Sequence, residues 1–160
     1  MAVTVFERKI ASPIPAAKAF KGLVTDADNL VPKILPGVVK SIETVQGNGG
    51  IGTIKKTTLH EGNELKSYKH KVDKYDPQNF VYEYSIYEGE PWIDGIEKVT
   101  VGIEIEGSGD GGSVVHVSCK TYPKGNNAAL LQGRVDSDKQ KLAGMVQAIE
   151  QYLLANPNAY

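Results

Sequence analysis

Asp138 is a carboxylate in apolar company. It falls between Val135 and Leu142 in residues 126–156, where Leu131, Val135, Leu142, Met145, Val146, Ile149 and Leu153 recur at three-to-four spacing. That spacing draws one stripe along a helix about 40 Å long, so the carboxylate points where the apolar side chains point. A lone carboxylate in a dry core is costly, which places Asp138 at a wet cavity or beside a partner. At a cavity wall it would accept a charge-assisted hydrogen bond from a hydroxyl or amino group of a bound molecule. Tyr82 and Tyr84 offer matching chemistry. Two residues apart on an alternating run, they present apolar rings with hydroxyls that need partners, a combination suited to flat, partly hydroxylated molecules.

Other reactive residue types form no constellation. His60, His70 and His116 lack metal-ligand spacing, so neither a metal nor a cofactor is expected. Cys119 sits in the alternating run 113–121 and reads as a small buried strand residue. The loop Gly47-Asn48-Gly49-Gly50-Ile51-Gly52 has the composition of a phosphate loop but the wrong context. Both flanks read as strands, whereas a nucleotide loop leads into a helix N-terminus; a hairpin turn needing positive-φ residues fits better. Lys55 and Lys56 fall on opposite faces of the following strand and read as ordinary strand lysines.

Charge and length limit the function classes. With 18 basic and 19 acidic residues among 160, the net charge is −1, which disfavours nucleic acid and anionic membrane partners. The first ten residues, MAVTVFERKI, carry charges where a signal peptide needs an apolar run, and no stretch approaches the roughly 18 apolar residues of a membrane span. A soluble, cytoplasmic protein of one domain over residues 1–160 is expected.

These residues must be positioned by a mostly β chain. Residues 3–11 read as a strand stopped by Pro13 and Pro15; Ala16, Phe20, Leu23 and Val24 mark a short helix, and Asp26 caps a second that ends near Pro36-Gly37. Strand patterning then covers residues 38–46, 53–60 and 64–75, the last with a phase slip near Lys66 or Ser67 that indicates a bulge. In the next strand Phe80, Tyr82, Tyr84 and Ile86 share a face against Glu83 and Ser85. Val99, Val101, Ile103 and Ile105 then alternate with outward Thr100, Glu104 and Glu106, before Val115, Val117, Cys119 and Thr121. Such alternation with short connections predicts an antiparallel sheet with one solvated face. No second long helix is available, so the C-terminal one must lie on that sheet. A curved sheet and a straight cylinder match poorly in shape, leaving space between them.

Five segments carry a family resemblance: Asp28-Asn29-Leu30-Val31-Pro32-Lys33, the glycine loop with Thr53-Ile54-Lys55-Lys56, Tyr84-Ser85-Ile86-Tyr87-Glu88-Gly89, Ile96-Glu97-Lys98, and Glu150-Gln151-Tyr152-Leu153-Leu154-Ala155-Asn156-Pro157. Across nearly its whole length the chain resembles the plant pathogenesis-related proteins of class ten, the family of the major birch-pollen allergen. The resemblance implies an α+β helix-grip fold: a seven-stranded antiparallel curved sheet wrapped around a long C-terminal helix, with two short helices closing an internal cavity. It implies an intracellular defence- or stress-related binder of flavonoids, cytokinins, or sterol- or fatty-acid-like metabolites. The expected state is a monomer, with a weak dimer as the alternative.

The expected ligand-binding residues are Leu23, Asp28, Leu30, Leu59, His70, Tyr82, Tyr84, Trp92, Val99, Val101, Asp138, Lys141 and Met145, with Gly47, Gly49, Gly50 and Gly52 forming the loop. Two enzyme readings compete. Ribonuclease activity is reported across the family and falls by motif match on Lys55, Glu97, Glu150 and Tyr152, but RNA cleavage needs an acid and a base converging in a basic groove. Alkaloid-condensing enzymes of this fold use an interior lysine, and none aligns here: Lys120 is on a polar strand face and Lys141 at the edge of the helix stripe. The gate signatures of the abscisic-acid receptors are absent as well.

Overall fold

The computed structural model describes residues 3–62, 66–92, 95–125 and 128–160, with side chains of the last segment from residue 135 onward. Leu131 lies outside the described side chains, and Leu65 outside the described residues. Seven strands, β1 (Thr4–Ser12), β2 (Val39–Gln46), β3 (Ile54–Leu59), β4 (Ser67–Asp76), β5 (Val81–Glu90), β6 (Ile96–Gly107) and β7 (Ser113–Pro123), form one antiparallel sheet in the order β1-β7-β6-β5-β4-β3-β2. Consecutive strands from β2 to β7 are neighbours, as hairpin connections require. β1 and β2 lie at opposite edges because the two short helices carry the chain across the sheet between them.

Those helices are one bent piece. Pro15 presets the start of α1 (Ala16–Phe20), which runs directly into a π-helical turn (Lys21–Thr25), closed by the Asp26 N–H on the Lys21 carbonyl at 2.8 Å, and then α2 (Ala27–Ile34). Gly22 lets this turn sit on the C-terminal helix α3 (Ala128–Ala155), since a Cβ there would stand 3.0 Å from Ile149 Cγ2 and 3.2 Å from Leu153 Cδ1. Asp26 occupies the cap position of α2, but its carboxylate caps no backbone group. It accepts instead from Asn29 Nδ2 at 2.9 Å and from the Tyr160 hydroxyl.

Alternation sets the faces. Register aligns Phe6 with Cys119, Cys119 with Val101 and Val101 with Tyr84, one inward row across four strands. Three sequence expectations need correction. The register breaks of β4 against β5 fall between Lys69 and His70 and between Val72 and Lys74, not at Lys66 or Ser67. Phe80 precedes β5 in a left-handed conformation (φ 57°) and packs on Phe20 rather than continuing the face of Tyr82 and Tyr84. Thr100 points outward yet is buried, its hydroxyl 2.9 Å from Ser85 Oγ, which in turn donates to Asp73 Oδ2 at 2.5 Å. With the Ser85 proton committed to the carboxylate, Thr100 must be the donor to Ser85.

The apolar interior divides in two. One cluster joins Phe20, Leu23, Leu30, Ile103, Ile105, Val146, Ile149 and Leu153 where the short helices, α3 and the sheet meet; the other gathers Phe6, Ile96, Val99, Val101, Cys119 and Val135. Burial of the stripe residues Val135, Val146, Ile149 and Leu153 seats α3 on the sheet as its periodicity predicts.

Candidate functional site

A cavity of about 470 Å³ lies between the concave sheet face, α2 and α3, lined from both apolar clusters. Its wall is mostly apolar, with a few convergent polar groups, the composition of small-molecule sites. Twelve of the thirteen residues expected from the sequence stand on that wall: Leu23, Asp28, Leu59, His70, Tyr82, Tyr84, Trp92, Val99, Val101, Asp138, Lys141 and Met145. Leu30 does not. It is buried behind Gly22, facing the α3 contact rather than the cavity.

The wall also holds residues the sequence reading left out. Val39 and Ile42 of β2, three positions apart and so on opposite faces by period two, both line the cavity because a register shift falls between Val39 and Ser41. Lys55 is a correction: expected as an ordinary strand lysine, it lines the cavity with Thr57 and Leu59. The signal was present, since Lys55 shares its parity with the inward Leu59. Tyr68, Ile86, Cys119 and Leu142 complete the sheet and helix sides.

Polar groups cross this wall in sequence. Lys55 Nζ meets Asp28 Oδ1 at 3.0 Å, with side-chain exposures of 12% and 31%. Cα pairing puts Lys55 beside His70, whose ring lies 4.7 Å from that of Tyr84, and Tyr84 lies 5.5 Å from Tyr82. Burial first, and then the Lys55 charge, hold the His70 pKa down at about 4, so the ring is neutral at physiological pH, and its Nδ1 is buried with no hydrogen-bond partner. Burial pushes the phenols of Tyr82 and Tyr84 up; the charge of Asp28 adds to the first, and neighbouring Tyr68, Tyr82, Cys119 and Asp138 to the second. Asp138 is only 8% exposed, as its place on the α3 stripe requires. Trp92 closes one side, its indole N–H donating to the Ile96 carbonyl at 2.7 Å.

The glycine loop is self-contained. Gly47, Gly49 and Gly52 take positive φ; the Gly49 N–H donates to Thr53 Oγ1 at 2.9 Å and the Gly50 N–H to Asn48 Oδ1 at 3.2 Å, so both amides already have partners. The four ribonuclease candidates are dispersed. Lys55 is inside the cavity, Glu97 is exposed on β6, and Glu150 and Tyr152 are on α3, with the Tyr152 hydroxyl accepting from Lys33 at 3.0 Å. A second concavity, of about 450 Å³, lies over Gly102 on the sheet's outer side, where Glu7, Lys9, Lys74, Glu83 and Glu104 mix both signs of charge in water, a setting that contributes little to binding. Among the described residues no group of three or more His, Cys, Asp or Glu side chains could hold a metal, and no helix is long and apolar enough to cross a membrane.

Residues 1–156 match the model of the pathogenesis-related protein Bet v 1 family. The chain belongs to that family. It is 45% identical over 160 residues to the major strawberry allergen Fra a 1.08 of Fragaria ananassa, and 41% identical to the major pollen allergen Bet v 1-M/N of Betula pendula, covering 100% of this chain and 99% of each relative. Among solved structures, Ara h 8.0201 superimposes with a TM-score of 0.87 at 40% identity, over 97% of this chain and 100% of that one. Norcoclaurine synthase from Thalictrum flavum shares the fold with a TM-score of 0.81 at 21% identity, over 96% and 87% of the two chains. The seven-stranded helix-grip architecture expected from the sequence is the family's own.

Proposed function

We propose that this chain carries small hydrophobic plant metabolites of the flavonoid, cytokinin, sterol or fatty-acid-like kind, as a cytoplasmic monomer of the defence and stress response. One observation carries the reading: an apolar cavity of about 470 Å³ whose wall includes hydroxyl, imidazole and carboxylate groups. Binding of small hydrophobic ligands as a general property of the family supports it. The same wall residues then act as ligand contacts: Tyr82, Tyr84, Val99, Val101 and Met145 supply apolar surface, and His70 and Asp138 supply hydrogen bonds. A ribonuclease reading gains no support from the dispersed Lys55, Glu97, Glu150 and Tyr152.

Titration with the neutral fluorophore N-phenyl-1-naphthylamine tests the proposal. Micromolar affinity, about 8 kcal/mol, is expected for a ring system buried in a preformed cavity, with displacement by a flavonoid or a cytokinin. Val101→Phe, which places a ring in the cavity, should weaken the probe at least tenfold while the protein stays folded by circular dichroism. Wild-type protein that binds no probe, or a Val101→Phe variant that binds as well as wild type, would reject the cavity as the site.

A further inference from the structure

We infer that Asp28 determines which ligands this cavity accepts: by pairing with Lys55 it masks the buried cation of the wall and turns carboxylates away, leaving neutral amphipathic molecules as the ligand class. The inference rests on the cavity-binding reading above and narrows it, removing free fatty acids and other carboxylates from the ligands proposed there.

Among the described lining residues the cations are Lys55 and Lys141, and Lys141 is exposed, so water screens it. Lys55 is different. Its side chain is 12% exposed, on the inward face of β3 and beside His70 in the register. An ammonium there, left to itself, would be a ready receptor for a carboxylate, since charge-assisted bonds gain strength where water is excluded. Asp28 occupies that role at 3.0 Å, from the first turn of α2.

A ligand carboxylate must therefore displace Asp28, giving up the existing ion pair, or sit beside it, bringing two like charges together at one ammonium. Asp138, on the α3 side of the same wall, adds a second carboxylate and no cation. The raised phenol of Tyr82, to which the Asp28 charge contributes after burial, reports the same resistance to negative charge. A neutral hydroxyl or amide meets no such obstacle, because it can donate to a carboxylate or to the buried neutral His70 without separating the pair.

Two probes of one shape test this: 2-naphthoate and 2-naphthamide, titrated at pH 7 by calorimetry. Wild type should bind the amide at least tenfold more tightly than the carboxylate. Asp28→Asn should shift the carboxylate-to-amide preference about tenfold toward the carboxylate, and the double variant Asp28→Asn/Lys55→Met should lose that shift. Asp28 is 31% exposed, so either variant should fold; Asp28→Ser, which also keeps a polar side chain in the first turn of α2, repeats the test independently. Three results would overturn the inference: equal binding of both probes by wild type, no shift toward the carboxylate in Asp28→Asn and Asp28→Ser, or the same shift with and without Lys55. Failure of both probes with every protein would overturn the cavity reading itself, a different outcome from an amide that binds and a carboxylate that never gains.

Discussion

His70 shows how a single side chain ties the cavity to stability. Its folded pKa of about 4 lies below the ordinary 6.5, because burial and then the Lys55 charge oppose the imidazolium. The unfolded chain therefore binds more protons than the folded one between those values, so stability rises with pH through that window and falls as pH drops from about 6.5 toward about 4. The full shift corresponds to about 3 kcal/mol. His70→Phe should remove that slope: urea unfolding between pH 4 and 7 should show wild type losing up to about 3 kcal/mol more than the variant on acidification. Equal slopes would mean that His70 is solvated in the native state. Asp138 and Lys55 differ in how much the sequence revealed of them. A carboxylate on an apolar helical stripe is conspicuous, whereas a lysine on a half-buried strand looks like any other until its Asp28 partner, 27 positions earlier, is brought beside it.

At the level of elements, the contact that seats the short helices on α3 depends on a missing side chain. A Cβ at Gly22 would meet Ile149 and Leu153 at 3.0 and 3.2 Å, so alanine forces a displacement of a few tenths of an ångström and a larger residue much more. Gly22→Val should destabilise the protein by about 1–3 kcal/mol, the usual cost of overpacking, read as a lower urea midpoint with an unchanged slope. A midpoint equal to wild type would show that the π-helical turn can lift off α3 freely. Strand existence and facing were readable because each inward residue of β6 and β7 repeats with period two. The register breaks were not readable, since a bulge is fixed by the partner strand, which the local pattern does not contain. The burial of Thr100 likewise depends on Ser85 and Asp73 of adjacent strands.

Taken as a whole, the molecule closes its helical side with its own C-terminal tail. The Tyr160 hydroxyl donates to the Asp26 carboxylate, and Lys18 Nζ donates to the Pro157 carbonyl at 2.5 Å, so the tail spans the joint between the two short helices. That joint borders the cavity through Leu23, Val24, Ala27 and Asp28. Tyr160→Phe removes one hydrogen bond of a half-buried group, a change of about 1 kcal/mol, and should speed probe release several-fold in stopped-flow while lowering the melting temperature by only a few degrees. An unchanged release rate would show that ligands exchange at another side of the cavity.

Periodicity and turn chemistry sufficed for the order of elements, the inward strand faces, the long helix and most of the cavity wall, because each is a local pattern: period two for a half-buried strand, three to four for a helix on a sheet. Resemblance in five segments was enough for the family. Folding supplied the pairings between residues far apart in sequence: Asp28 with Lys55, Tyr160 with Asp26, Gly22 with Ile149, and the return of Leu30 to the core. Each depends on where the bent helical piece crosses the sheet. That position follows from the summed packing of α3, β2 and the π-helical turn, which no single stretch of sequence encodes.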